Sequence, residues 1–134
     1  MVIESSDVSV LCDPWFTEGI YDGAWYHFPR VDDPLRTIGN VDYVFISHIH
    51  PDHYDPQFLH AYEDQYGPKT ILVASRQFPY LRDALLREGF EVLEVTDKLT
   101  YGSTTISAIP IRPNDRNEID SALCVTKIDS HGRE

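Results

Sequence analysis

Short apolar runs, each closed by a polar or turn-forming residue, divide the chain into alternating elements. Residues 7–12 (DVSVLC) and 41–46 (VDYVFI) are short, rich in β-branched and aromatic side chains, and end in turn or polar positions, which is the composition of strands. Residues 70–75 (TILVAS) form an unbroken apolar run, as in a sheet covered on both faces. Between them, DPQFLHAYEDQYG reads as a helix, with Asp55 as N-cap, Pro56 at the first helical position and Gly67 closing the segment. Phe78, Leu81 and Leu85 then recur at helical spacing, with Gly89 as the stop, and EVLEV (91–95) is again a strand. LTYGSTTISAIPI reads as a hairpin-like pair with Gly102 near its turn, and SALCVTKI as one more strand. The order β, β-loop-α, β-α-β and a β-rich end predicts a layered α/β domain, with VDYVFI and TILVAS as neighbouring strands of one sheet.

Composition narrows this picture. The 134 residues, 42% of them hydrophobic, suit a single packed domain over 1–134. No apolar run approaches the ~20 residues of a membrane span, and the opening MVIESSDVSV has no basic segment followed by an apolar one, so neither a membrane anchor nor a signal peptide is expected. Cys12 and Cys124 each sit in an apolar strand-like run, which predicts buried free thiols and a cytoplasmic setting. Eleven basic against twenty-two acidic residues give a formal charge of −11, a field that repels polyanions and argues against a nucleic-acid partner. A small anionic substrate is still compatible, because a bound dication reverses the local sign.

The densest chemistry lies directly after VDYVFI, where Ser47-His48-Ile49-His50-Pro51-Asp52-His53 holds three of the six histidines. In α/β proteins ligands gather where strands end. A lone loop histidine is usually only a polar loop residue, but three with an aspartate in seven residues weigh toward a metal site. Neutral imidazole and carboxylate bind zinc, iron or manganese. His48 and His50 are two apart with a proline following, so the backbone there is extended or turning and both can grip one ion. Asp52 and His53, past the bend, can point to a second position nearby. That spacing suits a two-metal site that activates water, and no Ser or Cys stands in an evident nucleophile elbow.

SHIHPDH resembles the H-x-H-x-D-H motif of the metallo-β-lactamase-fold hydrolases, and VDYVFI matches the strand that leads into it. VLCDPWF (10–16) looks like that superfamily's first motif. The Asp13-Pro14-Trp15 form is similar to the branch holding L-ascorbate-6-phosphate lactonase, N-acyl-phosphatidylethanolamine phospholipase D and CMP-N-acetylneuraminate hydroxylase. The resemblance to the last is strongest, because an aromatic segment like FTEGIYDGAWYHFP follows there too. It covers roughly residues 2–128 and implies a layered αββα fold. His48 and His50 would hold the first metal and Asp52 and His53 the second, with Zn2+ foremost and Fe or Mn as alternatives. Asp52 would also handle protons, and Asp13 would orient the site from behind.

The family also uses a later histidine, a bridging aspartate and a final histidine. Where the first of these falls, the chain reads IPIRPNDRNEIDSAL, with Asn114 or Asp115 in place of a histidine; Asp129, in a turn-like DSHGRE, is a poor match for the bridging aspartate. The chain is therefore expected to be the N-terminal αβ half of the fold, a truncated piece or a natural half-domain. It would supply about one of the two sheets and associate through the bare inner face, as a homodimer or with a missing C-terminal half. Trp15, Trp25 and Tyr26, together with Tyr21, His27 and Phe28, would line a substrate mouth or cap the sheet, with packing favoured. His27 reads as a satisfied loop histidine, His60 as solvent-facing on the helix, and His131 as part of a polar tail.

Three functions follow as expectations. The first is metal-dependent hydrolysis of a small-molecule ester, lactone or phosphodiester. The second is a non-catalytic half-domain with a weak or empty metal site. The third keeps the fold but makes the chemistry iron-dependent oxidation, as the hydroxylase resemblance allows.

Overall fold

Alternation of apolar side chains along three neighbouring strands sets the architecture. The computed structural model describes residues 1–75, 79–110 and 120–128. In it β1 (Val2–Glu4), β2 (Ser9–Cys12), β3 (Tyr43–Phe45), β4 (Thr70–Ala74) and β5 (Glu91–Val95) form one sheet in that order. β1 runs antiparallel to β2, and the other pairs are parallel. VDYVFI and TILVAS are therefore neighbours, as the sequence predicts, with Val44 opposite Ile71. The short α1 (Ile20–Gly23) and α2 (Pro34–Ile38) lie between β2 and β3, and the next parallel crossovers carry α3 (Pro56–Tyr66) between β3 and β4 and α4 (Tyr80–Arg87) between β4 and β5. Leu81 and Leu85 of the predicted α4 stripe pack inward; Phe78 lies outside the described residues.

Successive side chains on these strands enter different cores. Leu11, Val44, Ile46, Ile71 and Val73 meet Phe58, Leu59 and Tyr62 of α3 and Leu85 of α4. Val10, Cys12, Phe45 and Leu72, one position away in each strand, face the other side with Val95 and Ile106. Both faces of the sheet are covered, which is why TILVAS has no polar alternation. Each such buried aliphatic side chain contributes roughly 1.5–3 kcal/mol relative to exposure.

The cover on the second face comes from this chain. β6 (Leu99–Tyr101), β7 (Thr104–Pro110) and β8 (Ser121–Lys127) form an antiparallel three-stranded sheet. From it Leu99, Tyr101, Ile106, Ala108, Leu123 and Val125 pack under the larger sheet. The expectation of a bare inner face is thus corrected: the chain has the metallo-β-lactamase-like helix–sheet–sheet layering, with the second sheet begun. The Gly102 turn fits against the first sheet through Asp7. Its carboxylate accepts from the Ser103 N–H at 3.0 Å, the Ser103 hydroxyl at 2.8 Å and the Thr104 hydroxyl at 3.1 Å. A Cβ at Gly102 would lie 2.9 Å from Asp7 Cγ, and its φ is +56°, so the approach requires glycine.

β1 has no counterpart in the sequence reading. Three residues, Val-Ile-Glu, are too few to show a period of two, and only pairing with β2 makes them a strand.

Candidate functional site

The motif begins where β3 runs out of sheet. Ile46, Ser47 and His48 stay buried past the strand end. The chain then turns around Pro51, with the N–H groups of His53 and Tyr54 both donating to the His50 carbonyl, at 3.0 and 2.8 Å. Asp55 ends the loop and caps α3, accepting from the Phe58 N–H at 3.0 Å as its sequence position predicts. It also accepts from the N–H groups of Phe16 and Thr17 and from the Thr17 hydroxyl, at 3.0, 2.7 and 2.8 Å. One buried carboxylate thus ties the segment after β2 to the start of α3.

Asp13, at the end of β2, is a second such tie and is only partly buried. Its Oδ1 accepts from the Ser47 N–H at 2.7 Å, and its Oδ2 lies 3.0 Å from His53 Nδ1. It holds this place with φ +45°, a left-handed backbone that a non-glycine residue rarely adopts.

These contacts fix the histidines. His53 stands between two carboxylates, with Nδ1 3.0 Å from Asp13 Oδ2 and Nε2 3.4 Å from Asp52 Oδ2; the shorter contact favours a proton on Nδ1, the tautomer that turns the Nε2 lone pair toward Asp52. His48 Nδ1 lies 2.9 Å from Ser47 Oγ and 3.4 Å from Asp120 Oδ1, both able to accept its proton. That leaves His48 Nε2 bare, 3.1 Å from His50 Nδ1. Burial, then the neighbouring His53, lowers the pKa of His48, so it rests as the neutral imidazole a metal requires. For Asp52 burial works against ionisation, but the hydrogen bond from the Tyr21 hydroxyl, a backbone N–H and the two histidines hold its pKa below the ordinary carboxylate value.

Two nitrogens bound at ~2.0–2.1 Å to one tetrahedral ion lie about 3.3 Å apart. The His48–His50 and His53–Asp52 separations of 3.1 and 3.4 Å are therefore those of ligands sharing an edge of a coordination shell. Among the described residues no three His, Cys, Asp or Glu side chains are grouped as a metal site. The side chains instead stand as two contacting pairs, His48 with His50 and Asp52 with His53, and Ser47, Asp13 and Tyr21 reach His48, His53 and Asp52 from outside. Asn114, Asp115, Asp129 and His131 lie outside the described residues.

A cavity of about 490 Å³ opens beside the pairs, lined by Asp13, Ser47, His48, His53 and Asp120 and by the apolar Ile3, Phe45 and Leu123. Cys12 also borders it, but burial pushes its thiol up to about 11, so it is neither a thiolate nor a nucleophile at neutral pH.

Trp15, Trp25 and Tyr26 do not line this cavity. They belong to a strap, residues 15–28, on the Asp52 side. Trp15 stacks near His27 at 4.3 Å and Trp25 at 6.2 Å, and donates its indole N–H to the Thr17 carbonyl at 2.5 Å. His27 lies 2.9 Å from the Trp15 carbonyl, a satisfied loop histidine. His60 faces solvent on α3, 3.3 Å from Glu88.

The sequence did not point to Ser47, Asp120 or Ser121 as parts of the site. Ser121 donates to the Ser47 carbonyl at 2.6 Å across 74 residues. The motif held the signal for Ser47. Asp120 and Ser121 had none, because the second sheet brings them there.

Comparison with known proteins agrees with this layout. A family model described as "Beta-lactamase superfamily domain" matches residues 1–121. A Mycolicibacterium smegmatis protein named "Putative Rieske 2Fe-2S iron-sulfur protein" is 34% identical over 134 residues, 93% of this chain and 25% of that protein. A Mycobacterium tuberculosis protein of like name is 32% identical over 133 residues, 92% and 25% of the two chains. The chain thus spans about a quarter of the length of the curated relatives it matches. A solved structure, "a possible metal-dependent hydrolase" from Veillonella parvula, superposes with a TM-score of 0.70 at 17% identity, covering 96% of this chain and 55% of that one. At that identity the likeness is one of fold.

Proposed function

Because the chain belongs to the beta-lactamase superfamily, we propose that it carries the first two ligand pairs of a metal-dependent hydrolase acting on a small-molecule ester, lactone or phosphodiester. The observation that carries this reading is the close pairing of His48 Nε2 with His50 Nδ1 and of His53 Nε2 with Asp52 Oδ2, with Ser47 behind His48 and Asp13 behind His53. Divalent metal, zinc foremost, would supply a Lewis acid and an activated water when bound. His48 and His50 would hold one ion and Asp52 and His53 the other. Asp13 and Ser47 keep the two imidazoles in the tautomer that offers Nε2. Asp52, held ionised, would also take up a proton from the attacking water. The cavity beside His48 and His53 has apolar walls at Ile3, Phe45 and Leu123, suited to a small organic substrate.

A second reading is favoured by the names of the relatives. A Rieske cluster takes two cysteines and two histidines. Here Cys12 and Cys124 stand on strands of different sheets, and neither joins a group of three metal-ligating side chains among the described residues. In this reading the cluster of those proteins belongs to the length this chain does not span, and the present site is the iron-dependent oxidation site it serves. Elemental analysis of chain purified without chelators separates the two: two zinc ions support hydrolysis, one iron supports oxidation. A chain that takes up neither is a non-catalytic module and ends both readings.

Association with a second copy, or with further length such as the relatives carry, remains part of the proposal. Since the inner face of the first sheet is covered, the contact would have to fall elsewhere, and the outer face of β6–β8 is proposed for it. The two free thiols suit a cytoplasmic setting.

A further inference from the structure

The segment from Gly19 to Trp25 is a tight loop: the Gly19 N–H donates to the Trp25 carbonyl at 2.9 Å, and the Trp25 N–H to the Ile20 carbonyl at 3.2 Å. Inside it Tyr21 (φ 52°, ψ 56°) and Asp22 (φ 57°, ψ 36°) both take the left-handed conformation, flanked by Gly19 and Gly23 at positive φ. Two adjacent non-glycine residues in that region are costly and need an interaction that holds them there. The loop buries none of its own residues. What it does is carry the Tyr21 hydroxyl across 31 residues of sequence to Asp52 Oδ1, at 2.6 Å. The ring behind that hydroxyl stands edge-on to Trp25 at 5.0 Å, and Trp25 leans on Trp15.

The two oxygens of Asp52 are therefore divided. Oδ1 is taken by the phenol, while Oδ2 faces His53 Nε2 at 3.4 Å. We propose that Tyr21 is a positioning residue for the Asp52–His53 pair: its hydroxyl occupies Oδ1, so that the carboxylate offers a single oxygen to an ion and cannot rotate to offer both. This rests on the metal-binding reading above. It makes the aromatic strap part of the metal site without any strap residue being a ligand.

The variant Y21F keeps the ring on Trp25 and removes only the hydroxyl. Co2+ added to the purified 134-residue chain serves as the probe, read by the dissociation constant and visible absorption of each bound ion. Y21F is expected to weaken the ion at Asp52 and His53 by ~10–100-fold, as loss of an outer partner does. It should also lower the absorption of that ion, because the freed carboxylate adds a second oxygen and raises the coordination number. The ion at His48 and His50 and the far-ultraviolet circular dichroism should not change. Unchanged affinity and spectrum in Y21F overturn the proposal, as does a Y21F chain that loses both ions and its fold together, which would make Tyr21 a structural residue. H48A and D52A separate the proposal from its premise: Co2+ uptake lost in these variants but indifferent to Y21F overturns the role of Tyr21 alone. A wild-type chain that takes up no Co2+ overturns both.

Discussion

The motif loop, residues 47–55, and the aromatic strap, residues 15–28, are similarly rich in large functional side chains, yet the fold buries both ends of the first, leaving His50 and Pro51 exposed between them, and leaves the middle of the second open. Ser47, His48 and Asp55 are 8%, 9% and 4% exposed, whereas Tyr21, Trp25, Tyr26 and Phe28 are 40%, 49%, 60% and 100% exposed. The difference lies in backbone N–H groups. The start of the motif loop, and the start of α3 behind it, hand their N–H groups to Asp13 and Asp55. Only the strap's first residues, Phe16 and Thr17, share such a carboxylate. Beyond them the strap is held by hydrogen bonds within itself, by ring contacts and by one hydroxyl on Asp52. Pairing buried carboxylates with backbone donors orders a loop more firmly than aromatic area does, because an unpaired buried N–H costs more than an exposed ring gains.

The contrast is broken most severely at the point the two regions share. Asp55→Ala strips partners from three backbone N–H groups and removes the α3 cap, so a loss of about 2–4 kcal/mol in urea unfolding is expected. A loss under about 1 kcal/mol would mean that water replaces the carboxylate and that the two regions are not tied there.

Asp13→Asn sharpens the comparison within the motif loop. The amide oxygen can still accept from the Ser47 N–H, but the amide nitrogen cannot accept from His53 Nδ1. Stability should hardly change while zinc affinity falls ~10–100-fold in calorimetric titration. Wild-type affinity in this variant would show that Asp13 does not set the His53 tautomer.

Acid should reach His48 before the carboxylates. His48 has a folded pKa below its ordinary 6.5, so the unfolded chain binds its proton more readily. The stability it contributes is complete above pH 6.5 and is lost as pH falls through the lowered value. Asp52 and Asp7, both lowered from 3.8, contribute stability that is complete above pH 3.8 and lost as pH falls through their own values. For Asp7 the hydrogen bonds from Ser103 lead that shift, ahead of Thr104. Thermal melts of the metal-free chain should decline in two stages, and His48→Gln should flatten the first. A single decline below pH 3.8 in the wild type would remove His48 from this account.

Phe28→Ser should change almost nothing, less than ~0.5 kcal/mol, because the side chain is fully exposed. A larger loss, with sedimentation equilibrium showing a dimer that the variant disrupts, would place a partner on the strap rather than on the outer face of β6–β8.

Much of the first sheet was legible in the chain itself. TILVAS reads as a strand covered on both faces because each of its side chains finds a core, and Asp55-Pro56 reads as a helix start because capping is a local interaction. The motif residues were legible for the same reason: they lie within seven positions, and a strand end followed by a proline turn brings them together. β1 was not legible, being too short to carry a pattern. Nor was the covering role of β6–β8: their alternation shows that one face is buried but not against what.

The sequence alone therefore determined the strand-loop-helix units and the crowding of three histidines and an aspartate at a strand end, since both depend on neighbours a few residues apart. Only the tertiary structure decided which groups face those side chains. Asp13 reaches His53 from β2, Asp120 reaches His48 from the edge of β8, and Tyr21 reaches Asp52 from the strap. Each is a contact between segments tens of residues apart. The physical reason is that a histidine's tautomer and a carboxylate's open oxygen are set by whichever group lies within hydrogen-bond distance, and spacing along the chain carries no information about partners delivered by another layer of the fold.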